Sequence, residues 1–351
     1  GTSIAVANLT LIFFFLGMAV SMLVWGPLSD KYGRKPILTI GLILFIIASF
    51  ACSLANSINQ LVMFRILQSV GAGSGVAVNS AILKDVFKGR ALERALAAVI
   101  TMILIAPVIA PVFGAFLLKI MSWRGVFAFL GALGILALGL SLLLSETIQQ
   151  RRNGNIFYTS FRMFEVLSNL RFTYLLAIFS TPMLPAMAFV AASSYIFIDY
   201  FSLSKMQYAI FYMIISIFRI IGPYLYLFLT RIMHARQIIT IGFASAILSG
   251  LLLACIGPLG PIYFTAAIIP VIPAGPMLRP PGVNLMLEQQ DFKDAGSASS
   301  LINAAPFIFG GLGMFLISIA MDRPILWLAL MCIAIGIITT ILWLISAHKH
   351  F

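Results

Sequence analysis

Three arginines lie inside long apolar runs of this sequence, where a positive charge has little solvent around it. They are Arg65, Arg219 and Arg279. A guanidinium group near the middle of a bilayer is costly unless it meets water or an acceptor. We therefore expect Arg65 to face an internal cavity and to bind water, a carboxylate or a substrate there. The alternative is a structural role, as the centre of a buried hydrogen-bond network.

The other two arginines differ in their position along the run. Arg219 is central, so a cavity position is favoured over a lipid-facing one. Arg279 lies closer to the end of its run, near Glu288, so a side chain that snorkels to the interface is an open alternative. Its neighbourhood is rich in proline, which interrupts a helix and exposes carbonyl groups that are tolerable only against protein or a wet cavity. The prolines are at 270, 273, 276, 280 and 281, and this segment is a candidate to line the substrate cavity.

A charged connection, GPLSDKYGRKP, follows the first apolar run and begins at Gly26. Gly26 lets two helices approach closely, and Gly33 permits a left-handed turn. Asp30 can face a helix N-terminus or an arginine, and Arg34 is expected on the cytoplasmic side. An ordinary positive-inside turn explains the basic residues but not the spacing of the glycines and the acid.

The fourth apolar run contains the segment APVIAPVFGA, which spans 106–115. Proline removes an intrahelical hydrogen bond, and small neighbours allow close packing. The helix is therefore expected to bend around Pro107, Pro111 and Gly114. A kinked helix with no functional role is the alternative.

The elements that carry these residues are predicted to be membrane helices. Hydrophobic residues make up 62% of the chain, charged residues 9%, and the mean hydropathy is +1.09, which excludes a soluble globular domain. Spanning segments must satisfy their backbone groups internally, and unbroken apolar runs favour helices over a barrel. Eleven spans are predicted, at 4–25, 36–55, 60–82, 95–118, 124–145, 172–198, 206–230, 237–256, 260–287, 296–320 and 325–346.

The basic residues predict the topology. Of the 22 Lys and Arg residues, 15 fall on alternate connections and the tail, which places these and the C-terminus in the cytoplasm. A polar linker, 147–171, separates an N-terminal half, 1–146, from a C-terminal half, 172–351. Two parallel halves of six helices are expected, so the first helix is expected to be absent from this chain. Short matching segments support the repeat: Gly26-Pro27 matches Gly222-Pro223, and Ala110-Pro111 matches Ala305-Pro306.

These motifs resemble the major facilitator superfamily, most closely its bicyclomycin- and chloramphenicol-resistance type of drug:proton antiporter, over essentially the whole chain. GPLSDKYGRKP resembles the signature loop of the superfamily. RILQSVGAG, from Arg65, resembles its second motif, with Ser69 where glycine is usual. APVIAPVFGA resembles the antiporter motif, with alanine at 106, 110 and 115 where glycine is preferred. Further similarities to the same branch are Trp123-Arg124-x-x-Phe127, Glu146-Thr147 and Ala295-Gly296-x-Ala298-Ser299.

The resemblance implies a proton-driven exporter of small amphipathic drugs that works by alternating access around a cavity between two six-helix halves. It also implies that Asp30 and Arg34 join Asp85 in a charge network that holds the cytoplasmic side closed; a solvated helix end is the alternative for Asp85. The expected sites are the substrate and proton cavity (Arg65, Gln68, Asn79, Arg219, Arg279, Asn303), the cytoplasmic gate (Gly26, Asp30, Gly33, Arg34, Asp85) and the helix bend (Pro107, Pro111, Gly114).

None of the acidic residues of this sequence is assigned as the group that couples transport to protons. All ten fall in connections or at span ends, so no carboxylate is expected at midplane, where burial would raise its pKa. The resembled exporters commonly carry that acid in the first span, which this chain is expected to lack. Three intramembrane arginines without a midplane acid favour a rival substrate class, an anionic metabolite or siderophore.

Other classes of protein fit less well. The three histidines lie in connections or the tail, so no catalytic constellation of a membrane enzyme is expected. A receptor or a channel does not explain the doubled architecture with a charged loop. The three cysteines lie in apolar runs and indicate neither disulfides nor a metal, and no cofactor is expected. The expected setting is the bacterial inner membrane, with a lipid bilayer, protons and a small molecule as partners, no nucleic acid, and a monomeric chain.

Overall fold

A computed structural model describes residues 4–148, 163, 165–290 and 295–348. Within these ranges the chain is helical and no strand occurs, which confirms the all-α prediction. The main helices are α1 Ile4–Tyr32, α2 Arg34–Ser53, α3 Ile58–Val86, α4 Gly89–Ile120, α5 Trp123–Leu142, α6 Leu170–Ser180, α7 Met183–Ser194, α8 Lys205–Leu229, α9 Ala235–Cys255, α10 Pro261–Ile268, α11 Ala274–Leu287, α12 Ala295–Ser318 and α13 Pro324–His348.

Eleven segments among the described residues are long and apolar enough to cross a membrane, as predicted. Nine of them are single helices. The span Leu170–Tyr200 joins α6 and α7 and ends in a π-helical turn, Tyr195–Tyr200. The span Pro261–Leu287 joins α10 and α11 through a 3-10 turn, Ile269–Val271.

The proline-rich segment is interrupted only near its start. Pro270 lies in the 3-10 turn and Pro273 is the N-cap of α11. Pro280 and Pro281, in contrast, lie inside α11, which continues through both of them, so the expected interruption at these two positions is wrong. Each proline removes one backbone donor. Because the two are adjacent, they remove donors from neighbouring positions of one turn, and the helix continues on either side.

Local signals explain where several helices begin. The Ser57 hydroxyl accepts the N–H of Gln60 at 3.3 Å, while the Gln60 side chain accepts the N–H of Asn56 at 3.0 Å. Ser204 and Gln207 make a reciprocal capping box at the start of α8. These side chains satisfy backbone donors that the first helical turn leaves without partners. Short polar connections can therefore restart a helix directly after the previous span.

The described residues group into two compact units. The first contains the described residues of 1–103, 117–170 and 290–308. In it, α3 packs along α1 and α2, and α2 also packs along α5. A Cβ added to Gly71 of α3 would lie 2.5 Å from the backbone nitrogen of Phe45, so glycine lets α2 and α3 approach closely.

The second unit contains the described residues of 104–116, 171–289 and 309–351. Its most extensive helix pair is α9 with α13. A Cβ added to Gly250 of α9 would lie 2.7 Å from the carbonyl oxygen of Ala329, which is the same device of close backbone approach. The two halves predicted from the sequence, with their boundaries, remain a prediction.

Candidate functional site

The charged connection between α1 and α2 is built around Arg34. The turn requires Gly33, whose φ of 110° favours glycine. Arg34 is the first residue of α2 and is 8% exposed. Its Nη1 donates to Asp30 Oδ1 at 2.5 Å and to Ser29 Oγ at 2.7 Å, and its Nε donates to Asp85 Oδ2 at 3.0 Å. The planar guanidinium thus joins the ends of α1, α2 and α3 through charge-assisted hydrogen bonds.

Glu146, which follows α5, holds the start of α2. Its carboxylate accepts the backbone N–H of Arg34 at 2.9 Å and that of Lys35 at 3.3 Å. It also accepts the N–H groups of Thr147 at 2.9 Å and Ile148 at 3.1 Å. Partial burial by itself would raise the pKa of the Glu146 carboxyl, but the four donors outweigh it and hold that pKa below its ordinary value. A carboxylate at a helix N-terminus is also favoured by the helix dipole.

Two further hydrogen bonds join the end of α5 and the residues after it to Lys35 and Asp85. The Thr147 hydroxyl donates to Asp85 Oδ2 at 3.3 Å, and Lys35 Nζ donates to the carbonyl of Leu142 at 2.9 Å. We call Asp30, Arg34, Asp85 and Glu146 the Arg34 network. It connects four helix ends within the first unit. The structure therefore brings together the three charged residues of the expected gate.

Glu146 was absent from the gate expected from the sequence. The only sign in the sequence is the resemblance of Glu146-Thr147 to the same branch of exporters. Its position more than a hundred residues after Arg34 gives no local sign of contact. The chemistry of the sequence indicates such a contact: Glu146 is an acid directly after an apolar run, and the N-terminus of a helix such as α2 needs hydrogen-bond acceptors.

Arg65 of α3 lies in a hydrogen-bond chain with aromatic neighbours. Its Nη1 donates to Gln68 Oε1 at 2.6 Å, and Gln68 Nε2 donates to Ser49 Oγ of α2 at 2.8 Å. The guanidinium carbon is 4.1 Å from the ring centroid of Phe14 in α1 and 5.7 Å from that of Phe127 in α5. Cation–π contacts of this kind partly replace lost hydration. Gln68 is 1% exposed, so Arg65 is part of a buried hydrogen-bond network. This arrangement matches the structural role that was the alternative to a cavity position for Arg65.

The remaining residues of the expected cavity do not join this cluster. Asn79 is exposed on α3, and Asn303 is half-buried in α12 of the same unit. Arg219 of α8 and Arg279 of α11 belong to the second unit. There, α8 packs on α11.

The expected bend lies in α4, which continues from Gly89 to Ile120 through both Pro107 and Pro111. A Cβ added to Gly114 would meet no described atom within 4 Å. The small residues around Gly114 predict close packing at this position. The described residues do not pack closely there.

No group of three His, Cys, Asp or Glu side chains in the described part of the chain could hold a metal ion. The cysteines are all free thiols: Cys52 and Cys332 are buried and Cys255 is exposed.

Comparison with known proteins gives consistent matches. The Major Facilitator Superfamily profile matches residues 1–314. A "Bicyclomycin resistance protein homolog" from Haemophilus influenzae is 26% identical over 340 residues, which cover 94% of this chain and 84% of that protein. "Multidrug resistance protein MdtL" from Salmonella heidelberg is 31% identical over 198 residues, covering 56% of this chain and 50% of that protein. A solved D-xylose-proton symporter has a TM-score of 0.77 at 13% identity over 97% of this chain and 88% of that one, a likeness of fold alone.

Proposed function

The chain belongs to the Major Facilitator Superfamily, and we propose that it exports small amphipathic drugs by alternating access in exchange for protons. Family membership confirms the prediction of a membrane transporter rather than an enzyme. The proposed location is the bacterial inner membrane. The proposed orientation places the Arg34 network and the C-terminus in the cytoplasm, because the basic connections lie on that side of the predicted topology.

The observation that carries the proposal is the Arg34 network. A transporter that alternates between two states needs contacts that form in one state and break in the other. Exposed ion pairs contribute little singly. Arg34, however, is buried and holds two carboxylates from different helices, while Glu146 fixes its backbone. We propose that the network is intact when the cytoplasmic side is closed and that it opens when substrate is taken up.

The substrate class and the coupling have separate support. Two relatives are named for resistance to bicyclomycin and for multidrug resistance, which supports small amphipathic drugs as substrates. Proton exchange is supported by the similarity of the motifs to drug:proton antiporters. An exporter of an anionic metabolite or siderophore is the second candidate, and Arg219 and Arg279 in neighbouring apolar helices favour it.

The test uses the full-length protein in liposomes that contain a pH-sensitive dye. Cationic, neutral and anionic amphipathic compounds are added with and without a proton gradient. We expect proton movement that depends on a cationic or neutral drug and that falls at least tenfold in Arg34→Gln. The matched control is Arg231→Gln, which removes an exposed arginine between α8 and α9. This control is expected to transport like the unmodified protein.

Two outcomes decide against the proposal. Drug accumulation without any proton movement would exclude the antiport mechanism. A response to anionic compounds only would replace the drug exporter with the anionic metabolite or siderophore exporter.

A further inference from the structure

The turn between α3 and α4 carries four exposed basic side chains. Lys84 lies in the last turn of α3, and Lys88 is the N-cap of α4. Lys88 Nζ donates to the carbonyl oxygen of Lys84 at 3.2 Å, which holds its ammonium group at the end of α3. Arg90 and Arg94 follow in the first turns of α4 and, being four residues apart, share one face of that helix. We call these four basic residues the basic turn.

Acidic residues do not neutralise the basic turn. The segment 84–94 contains two of them, Asp85 and Glu93, against four basic residues. Asp85 is already bound to Arg34, whose Nε donates to it at 3.0 Å. The ion pairs among the described side chains both belong to Arg34 and do not include the basic turn. Even if Glu93 offsets one charge, an excess of positive charge remains for an anion from outside the chain.

The lengths of the two helices place the basic turn at the level of the lipid headgroups. α3 has 29 residues and α4 has 32, which correspond to about 44 and 48 Å at 1.5 Å per residue. The hydrocarbon core of a bilayer is about 30 Å thick. The apolar runs end at 82 in α3 and begin again at 95 in α4, so the residues between them extend beyond the hydrocarbon. Lipid phosphate groups occupy that layer.

Two apolar side chains are exposed in the middle of the basic turn. Val86 ends α3 and is 53% exposed, and Phe87 follows it and is 38% exposed. At a membrane interface, exposed apolar groups can enter the boundary of the acyl chains while basic side chains beside them hold the headgroups. A dissolved anion would meet only the charges, whereas a phospholipid can use both features. The combination therefore favours a lipid over free phosphate.

We propose that the basic turn binds the phosphate group of an anionic phospholipid and that Val86 and Phe87 contact the acyl chains of the same lipid. Arginine binds phosphate through two parallel hydrogen bonds, and lysine binds it as a point charge. Basic clusters directly beside a membrane span recognise anionic headgroups in this way. This lipid site is additional to the proposed export function and depends neither on the drug nor on proton exchange.

The test follows hydrogen exchange by mass spectrometry on the full-length protein in two kinds of nanodisc. One contains dioleoyl phosphatidylcholine alone. The other contains an equal mixture with dioleoyl phosphatidylglycerol, which shares the acyl chains and has a negative headgroup. The reporter is the segment 84–90, in which the amide of Phe87 donates to the carbonyl of Leu83 at 2.9 Å.

The reference is the segment 231–236, a connection between α8 and α9 that also carries two exposed arginines. It reports the general effect of a negative membrane surface on exchange. In the lipid mixture, we expect exchange at 84–90 to slow at least fivefold more than exchange at 231–236. A factor of about five is what one basic residue near an anionic surface contributes.

Variants of the basic turn show whether its charges cause the slowing. Replacing all four basic residues by glutamine should reduce the slowing at 84–90 to that at 231–236. Lys84→Gln with Lys88→Gln, a milder change, should remove part of it, and Arg90→Lys with Arg94→Lys should keep most of it because the charge stays. The matched control, Arg231→Gln with Arg236→Gln, should leave the slowing at 84–90 unchanged. Thermal unfolding verifies that each variant is folded.

Equal slowing at 84–90 and 231–236 in the unmodified protein would overturn the lipid site, because it would show a general surface effect. Slowing that survives both glutamine variants of the basic turn, or an equal loss in the control, would do the same. Inorganic phosphate added to the phosphatidylcholine nanodiscs should leave exchange at 84–90 unchanged. Protection by phosphate equal to that in the lipid mixture would show a site for a free anion and would refute a lipid.

Discussion

Replacing Glu146 by alanine removes the acceptor at the start of α2 and should loosen that end of the helix. In the structure, the carboxylate accepts four backbone N–H groups, two of them from Arg34 and Lys35 of the first turn. A buried hydrogen bond to a charged group contributes about 1.5–3 kcal/mol. Glu146 is exposed, so solvent screening reduces this value, and loss of a helix N-cap costs about 1 kcal/mol. We expect a local loss of about 1–2 kcal/mol.

Hydrogen exchange followed by mass spectrometry, on the full-length protein in nanodiscs, measures this loss directly. Exchange at the amides of Arg34 and Lys35 should become about tenfold faster, since 1.4 kcal/mol corresponds to a factor of ten. Glu146→Gln keeps an acceptor without the charge and should give a smaller effect. Glu288→Gln, which alters an exposed glutamate at the end of α11, is the matched control. Unchanged exchange in Glu146→Ala, or an equal change in the control, would refute the role of this carboxylate.

The pH dependence of the same protection follows from the lowered pKa of Glu146. A carboxyl group with a pKa depressed by folding contributes stability that is fully present above its ordinary pKa, about 4.3. That contribution is lost as the pH falls through the lower folded value. The difference between wild type and Glu146→Ala should therefore be constant from pH 6 to pH 8.

Three further predictions concern packing and charge in the first unit. Gly71→Leu should separate α2 from α3 and lower the thermal unfolding temperature sharply. Gly75→Leu, where a Cβ meets nothing within 4 Å, should have little effect on that temperature. Equal decreases in the two variants would contradict the close approach of α2 and α3. Gln68→Leu should cost about 1–3 kcal/mol in denaturant unfolding because it leaves the buried hydroxyl of Ser49 without its donor, and an unchanged midpoint would refute this. Arg34→Lys keeps the charge but cannot hold two carboxylates in the same geometry, so the transport rate in liposomes should fall nearly as far as in Arg34→Gln; a rate like that of wild type would show that charge alone suffices.

Much of the architecture could be predicted because membrane spans are local features. A segment in lipid must satisfy its own backbone hydrogen bonds, so apolar length predicted eleven helical spans without knowledge of their packing. The proline-rich span shows the limit of that rule. Local propensity predicts a break at Pro280 and Pro281 as readily as at Pro270, yet only the earlier segment departs from α-helix.

The sequence by itself determined the class of the protein, the eleven spans among the described residues and the residues able to carry charge, since composition and apolar length act within each segment. The tertiary structure alone decided which of these residues meet. It placed Glu146 on the backbone of Arg34 and linked Arg65 through Gln68 to α2. It also packed α8, which carries Arg219, on α11, which carries Arg279. Such pairings depend on which helix faces pack together, and that choice depends on shape complementarity over many residues, which no short motif contains.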